Sequence, residues 1–169
     1  MEKEILLKVI NDYSKAFNLL DSYDHQTLSK IEGNNIVYKL TYEDARQIID
    51  SLRFKNDSEV FGVEKEKGKL NGILEQINQE VFGKELYCGV EEKAARLLYF
   101  LVKDHPFADG CKRIAAALFI NYLHLNNCLY HNKTQVISNE ALVAITILVA
   151  ESNPNDYEIM IRLITNLLK

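Results

Sequence analysis

Apolar residues recur at Ile5, Leu6, Val9, Ile10, Tyr13, Phe17 and Leu20, which is the spacing of one helical face. Thr41-Tyr42-Glu43-Asp44 has the form of a capping box with Asp at its last position, and it opens a helix that runs through about Leu52. Leu70, Ile73, Leu74, Ile77, Val81 and Phe82 predict another amphipathic helix, ended near Gly83. From Phe82 to Val90 a glycine near each end flanks a short extended core, the pattern of an exposed loop or tiny hairpin. Glu91 to Lys103 reads as helix and stops just before Pro106. After Gly110 a further helix runs to about Asn127. Ala141 to Ala150 is apolar except for Thr146, which predicts a buried central helix. The last helix follows Pro154 and carries Tyr157, Ile161, Ile164 and Leu168 on one stripe. The fold class is therefore all-α, a helical bundle with one small hairpin-like flap.

The 169 residues fit one domain, residues 1–169, large enough to close a single core. Two prolines and seven glycines leave room for long helices rather than many short strands. A net charge of −4 speaks against a general nucleic-acid binder, because neutralising phosphates needs a clustered basic surface; a local basic pocket stays compatible with it. Cys88, Cys111 and Cys128 show no CxxC spacing and the four histidines are scattered, so a structural zinc site is not expected. No apolar run approaches the ~20 residues that span a bilayer, and the opening residues are charged rather than signal-like. A cytoplasmic protein, with no membrane and no direct nucleic-acid partner, is the expectation.

The stretch that carries chemistry is His105-Pro106-Phe107-Ala108-Asp109-Gly110-Cys111-Lys112-Arg113, set between two apolar helices. A helix beginning after Asp109-Gly110 presents unpaired N–H groups and the positive end of its dipole to an anion. Gly110 lets the backbone approach a phosphate closely, and Lys112 and Arg113 bring positive charge to the same place. Asp109 can hold Mg²⁺ bridged to phosphate oxygens, and His105 can act as general base on an incoming hydroxyl. Taken singly, each residue has a plainer account: His before Pro is commonly a turn residue, and Asp-Gly is a common turn dipeptide. Together they are the ingredients of nucleotidyl or phosphoryl transfer.

The same nine residues resemble the signature of the Fic/Doc family, His-x-Phe-x-Asp/Glu-Gly-Asn-Gly/Lys-Arg, through His105, Phe107, Asp109, Gly110, Lys112 and Arg113. The flanking segments Leu70-Asn71-Gly72-Ile73-Leu74, Glu91 to Phe100, and Ala141 to Leu163 resemble the family's helices in order, so the likeness extends over roughly the whole chain. It implies the Fic helical fold and transfer of AMP from ATP to a Ser, Thr or Tyr hydroxyl of a target protein, or phosphate transfer in the Doc branch. By the same resemblance His105 is the catalytic base, Asp109 holds Mg²⁺, and Gly110, Cys111, Lys112 and Arg113 bind the nucleotide. Phe107 anchors the loop. Leu86, Tyr87 and Cys88 lie on the flap that receives the target backbone as an added strand. A bacterial setting and a toxin–antitoxin pairing belong to that picture, and a homo-oligomer is compatible with it.

The chain departs from the pattern at three positions. Cys111 replaces an Asn that contacts phosphate, Lys112 stands where adenylating members have Gly, and Ala116 stands where a second arginine is expected. Lys112 resembles the Doc branch, where it accompanies a reversed nucleotide and transfer of the terminal phosphate. Ser29-Lys30-Ile31-Glu32-Gly33-Asn34, within a segment at about 22–34, resembles the inhibitory helix of autoinhibited Fic proteins, with Glu32 as the inhibitory carboxylate. The resemblance thus implies a protein adenylyltransferase, with a Doc-like protein phosphotransferase and a catalytically silent interaction protein as alternatives.

Overall fold

The computed structural model describes residues 2–54 and 56–169. In chain order the elements are helices α1 (Lys3–Asp12), α2 (Ser14–Asp24), α3 (Tyr42–Ser51) and α4 (Lys69–Ile77), then a hairpin of β1 (Glu80–Val81) and β2 (Lys84–Glu85). They continue with α5 (Val90–Lys103), α6 (Cys111–Leu125), a second hairpin of β3 (Tyr130–His131) and β4 (Thr134–Gln135), α7 (Asn139–Glu151), and α8 (Tyr157–Leu167) after a short 3₁₀ turn at Pro154–Asp156. Both hairpins are antiparallel and two residues deep. The fold is mostly helical, as the periodicity predicts.

The central helix is α5, not α7. Twelve of the fourteen residues of α5 are buried, including Glu91, Lys93 and Arg96. These polar side chains are tolerated because each finds partners. Lys93 Nζ donates to the Ile77 carbonyl at 2.7 Å, and Glu91 accepts from the Asn34 backbone N–H at 2.8 Å. Arg96 pairs with Glu158 at 2.8 Å and Glu92 at 2.9 Å, between the rings of Tyr87 and Tyr157. The near-continuous apolar run of α7 buries Ile145, Thr146 and Val149 and leaves Val143, Ile147 and Leu148 at the surface. Hydrophobicity all round a helix therefore misidentified the centre. The helix that is enclosed carries charges that are paired.

Other boundaries shift for local reasons. The Thr41 capping box forms in full: Thr41 Oγ1 accepts from the Asp44 N–H, and the Asp44 carboxylate accepts from the Thr41 N–H, both at 3.1 Å. Helix α4 ends at Ile77, so Val81 and Phe82 belong to the first hairpin instead. Residues 27–41 carry no helix, so the helix-like reading of the segment at 22–34 holds only as far as Asp24. The periodic face in α1 and α2 is present but buries nothing.

Candidate active site

Helices α5 and α6 pack as the antiparallel pair at the core, and the loop 104–110 joins them. Phe107 is fully buried and ties this loop down. The backbone of 61–65 runs alongside and zips it in place. Gly62 N–H donates to the Asp109 carbonyl at 3.0 Å, Ala108 N–H to the Val63 carbonyl at 2.8 Å, and Lys65 N–H to the Pro106 carbonyl at 2.9 Å. That strip is itself anchored. Arg46 donates to the Gly62 carbonyl at 2.8 Å, and the Glu64 carboxylate accepts from Tyr42 Oη at 3.1 Å and from the Leu70 N–H at 2.8 Å. Glu64 thereby caps α4, whose own N-cap, Gly68, has no side chain to do so.

Gly110 precedes α6 with φ +88°, and the Phe61 ring lies where a Cβ on it would be. A side chain at 110 is excluded twice, by conformation and by space. Helix α6 begins at once: the Ile114 N–H donates to the Gly110 carbonyl at 2.9 Å. Among the described residues the N–H groups of Cys111, Lys112 and Arg113 have no protein acceptor, so the first turn is an open anion-binding end.

Around this turn the candidate side chains divide. Lys112 is exposed. Arg113 is half-buried between the rings of Phe54 and Phe61, 4.5 and 4.9 Å from their centroids, and donates to Asp57 Oδ2 at 2.8 Å. That hydrogen bond, with a second from the Phe54 N–H, holds the Asp57 carboxyl below its ordinary pKa. Asp109 is exposed and accepts from Ser58 Oγ at 2.8 Å. His105 is exposed, has no hydrogen-bonded partner among the described residues, and sits at φ +50°, a left-handed conformation uncommon for a residue with a side chain. Cys111 points the other way. It is 4% exposed, its Sγ donates to the Phe107 carbonyl at 3.2 Å, and burial pushes its thiol pKa up. At this position the side chain turns inward and leaves only the backbone N–H at the open first turn.

Two groups expected at the site lie elsewhere. Glu32 lines a surface hollow with Glu85, Cys88 and Gly89, and the neighbouring Asn34 carbonyl accepts from the Val90 N–H at the start of α5. The flap residues Leu86, Tyr87 and Cys88 immediately precede that same helix start. The His105 loop follows the other end of α5, which at ~1.5 Å per residue is about 20 Å away. The resemblance implied that they meet the loop, but α5 separates them by its whole length. Glu32 and the 86–88 segment are corrected accordingly to the far end of the bundle. The strip that does border the loop is 57–65, and it supplies Asp57, Ser58 and Phe61. No periodicity marks that stretch, and its one local signal is Phe61-Gly62 between two helical patterns.

The Asp109 carboxylate, which has no cationic partner among the described residues, two cations and free N–H groups fit magnesium shared with a nucleotide's phosphates, while the Asp57 carboxylate is taken up by Arg113. Among the described residues no three His, Cys, Asp or Glu converge, so Asp109 would hold the ion together with substrate oxygens rather than in an all-protein cage. Among these residues, too, no helix is long and apolar enough to cross a membrane.

A mostly helical bundle with an open helix start on the loop between α5 and α6 defines the structural class. The Fic/DOC family model matches residues 39–123, which is half of the chain and takes in α3 through most of α6. The chain belongs to the Fic/DOC family. Members of this family transfer nucleotide or phosphate groups to proteins. A curated relative, Toxin Doc of Mycolicibacterium smegmatis (strain ATCC 700084 / mc(2)155), is 36% identical over 59 residues. The match covers 35% of this chain and 45% of that toxin's length. No solved structure matches the chain.

Proposed function

We propose that the chain acts as a single Fic domain and transfers the terminal phosphate of ATP to a hydroxyl of a protein target, in the manner of a Doc-like toxin. The observation that carries this reading is Lys112, exposed in the open first turn of α6, with Ala116 one turn further on instead of an arginine. That combination supplies one mobile cation at the helix mouth, and no second guanidinium to clamp the far end of a triphosphate. The similarity to Toxin Doc supports the same branch.

In this reading the three free N–H groups and Arg113 hold phosphate oxygens, and Lys112 offsets the charge that develops in transfer. Asp109 would hold magnesium, which supplies charge neutralisation at the bridging oxygens. His105 accepts the proton of the target hydroxyl as its oxygen bonds to the terminal phosphorus. The bond to the bridging oxygen breaks and ADP leaves. A hydroxyl-bearing protein is the partner, and an antitoxin would be the protein that occludes this mouth.

AMP transfer is the second reading, favoured by the resemblance of Ser29 to Asn34 to the inhibitory segment of autoinhibited Fic proteins. ATP labelled at the α phosphate and ATP labelled at the γ phosphate, each incubated with the protein and a proteome extract, separate the two. Label from the γ position on protein is expected. Label from the α position would establish adenylylation, and no label from either would remove both.

A further inference from the structure

Helices α1 and α2 form an arm in which no residue is buried. Leu6, Ile10, Tyr13, Phe17 and Leu20 are exposed by 44, 50, 62, 49 and 60%. Their spacing alternates four and three residues, the repeat of a coiled-coil seam, carried across the one-residue break at Tyr13 between α1 and α2. Ile5 and Val9 widen the same stripe and are as exposed. Isolated helices of ten and eleven residues are marginal in water, so an arm with this surface needs a cover.

We infer that the cover is the same arm of a second copy, packed antiparallel about a two-fold axis. The seam is complementary to itself when reversed. One register sets Leu6 against the second copy's Phe17 and Ile10 against its Tyr13, each contact then occurring twice by symmetry. That register sets Lys3 opposite the second copy's Leu20 and next to its Asp21, so that opposite charges lie one residue out of register at both ends of the seam. The seven apolar residues are each about half exposed and offer on the order of 700 Å² per copy, so mutual burial is at most about 1,400 Å², which reaches the lower part of the ~1,200–2,000 Å² of stable interfaces. The arm lies outside the matched family segment, 39–123, so the dimer does not depend on the proposed transfer reaction.

Light scattering on the purified full chain, across micromolar concentrations, is expected to give twice the 19.4 kDa chain mass. Ile10→Asp with Phe17→Asp should return it to a monomer that keeps the thermal unfolding of the body, because neither side chain is buried in it. A wild-type monomer would overturn the inference, and so would a dimer that survives both substitutions. Orientation is read by mixing Leu6→Cys and Phe17→Cys chains, each also carrying Cys88→Ser. A mixed disulfide between the two supports the antiparallel register, whereas Leu6→Cys linking only to itself would overturn it. Phosphate or AMP transfer by the monomeric variant would leave the functional reading intact while the dimer is tested separately.

Discussion

The Arg113 guanidinium is held by a carboxylate before any phosphate arrives: Nη1 donates to Asp57 Oδ2 at 2.8 Å while Phe54 and Phe61 flank its plane. Asp57 and Ser58 are consecutive, and Ser58 Oγ donates to Asp109 Oδ2 at 2.8 Å. One short strip therefore engages both the cation and the carboxylate proposed to meet the nucleotide and its metal.

Asp57→Asn keeps an oxygen for Arg113 and removes one negative charge from the mouth of α6. ATP affinity is expected to rise several-fold at low salt, with the gain shrinking as ionic strength approaches ~0.15 M and above. Calorimetric titration of wild type and variant in the same buffers reads this directly. Weaker binding by the variant would mean that Asp57 orients Arg113 for the phosphate rather than competing for it.

The same carboxyl has an acid signature. Its folded pKa is depressed, chiefly by Arg113 and then by the Phe54 N–H. Its contribution to stability is therefore present above the unfolded carboxylate value of about 3.9 and is lost as pH falls through the lower folded value. Chemical denaturation at a series of pH values should show wild type losing its advantage over Asp57→Asn below about pH 4. A difference that is constant across that range would show the pair to be energetically idle.

Gly110→Ala should destabilise the protein by about 2–4 kcal/mol, from a left-handed alanine and from collision with the Phe61 ring. Phe61→Ala removes the obstacle but leaves the backbone cost, so the double variant should be less destabilised than the two single losses added together. Strict additivity in urea unfolding would mean that the ring moves aside freely.

Cys111→Asn restores the residue of the family signature, yet it is expected to destabilise the fold by about 1–3 kcal/mol without tightening ATP binding. The side chain at 111 faces the Phe107 carbonyl in the interior, and a buried amide there gains one acceptor while losing its water. Improved affinity on titration would show that an asparagine turns outward to the phosphate.

How much of this was legible in the sequence follows from the range of the forces involved. The Thr41 box and the start of α6 after Gly110 are local, set by residues three or four apart, and both form where the pattern puts them. The contiguous residues His105 to Arg113 had to lie close together, here on the loop and the first turn of α6, whatever the tertiary structure. Glu32 and Leu86–Cys88 were read as site residues by resemblance, and their distance from the loop depends on the length and direction of α5. Asp57 and Ser58 carry no motif at all. They reach the site because the 61–65 backbone pairs with the loop, a long-range relation that side-chain periodicity does not encode.

His105 joins function to backbone strain. A histidine at φ +50° costs on the order of 1 kcal/mol relative to a residue without Cβ, and no hydrogen bond of its ring among the described residues repays that cost. The strain is understandable if the ring is needed at the mouth of α6. His105→Gly should therefore raise stability by about 0.5–1 kcal/mol while abolishing transfer from labelled ATP. His105→Ala should abolish transfer too, without the gain in stability, because alanine keeps the Cβ that makes the conformation unfavourable. The exposed ring contributes no packing to the core, so neither variant should lose the helical fold. Thermal unfolding and γ-phosphate labelling of the three proteins, measured side by side, decide the matter. A fully active glycine variant would remove His105 from the chemistry, and a destabilised one would show that the loop draws on contacts of the ring instead.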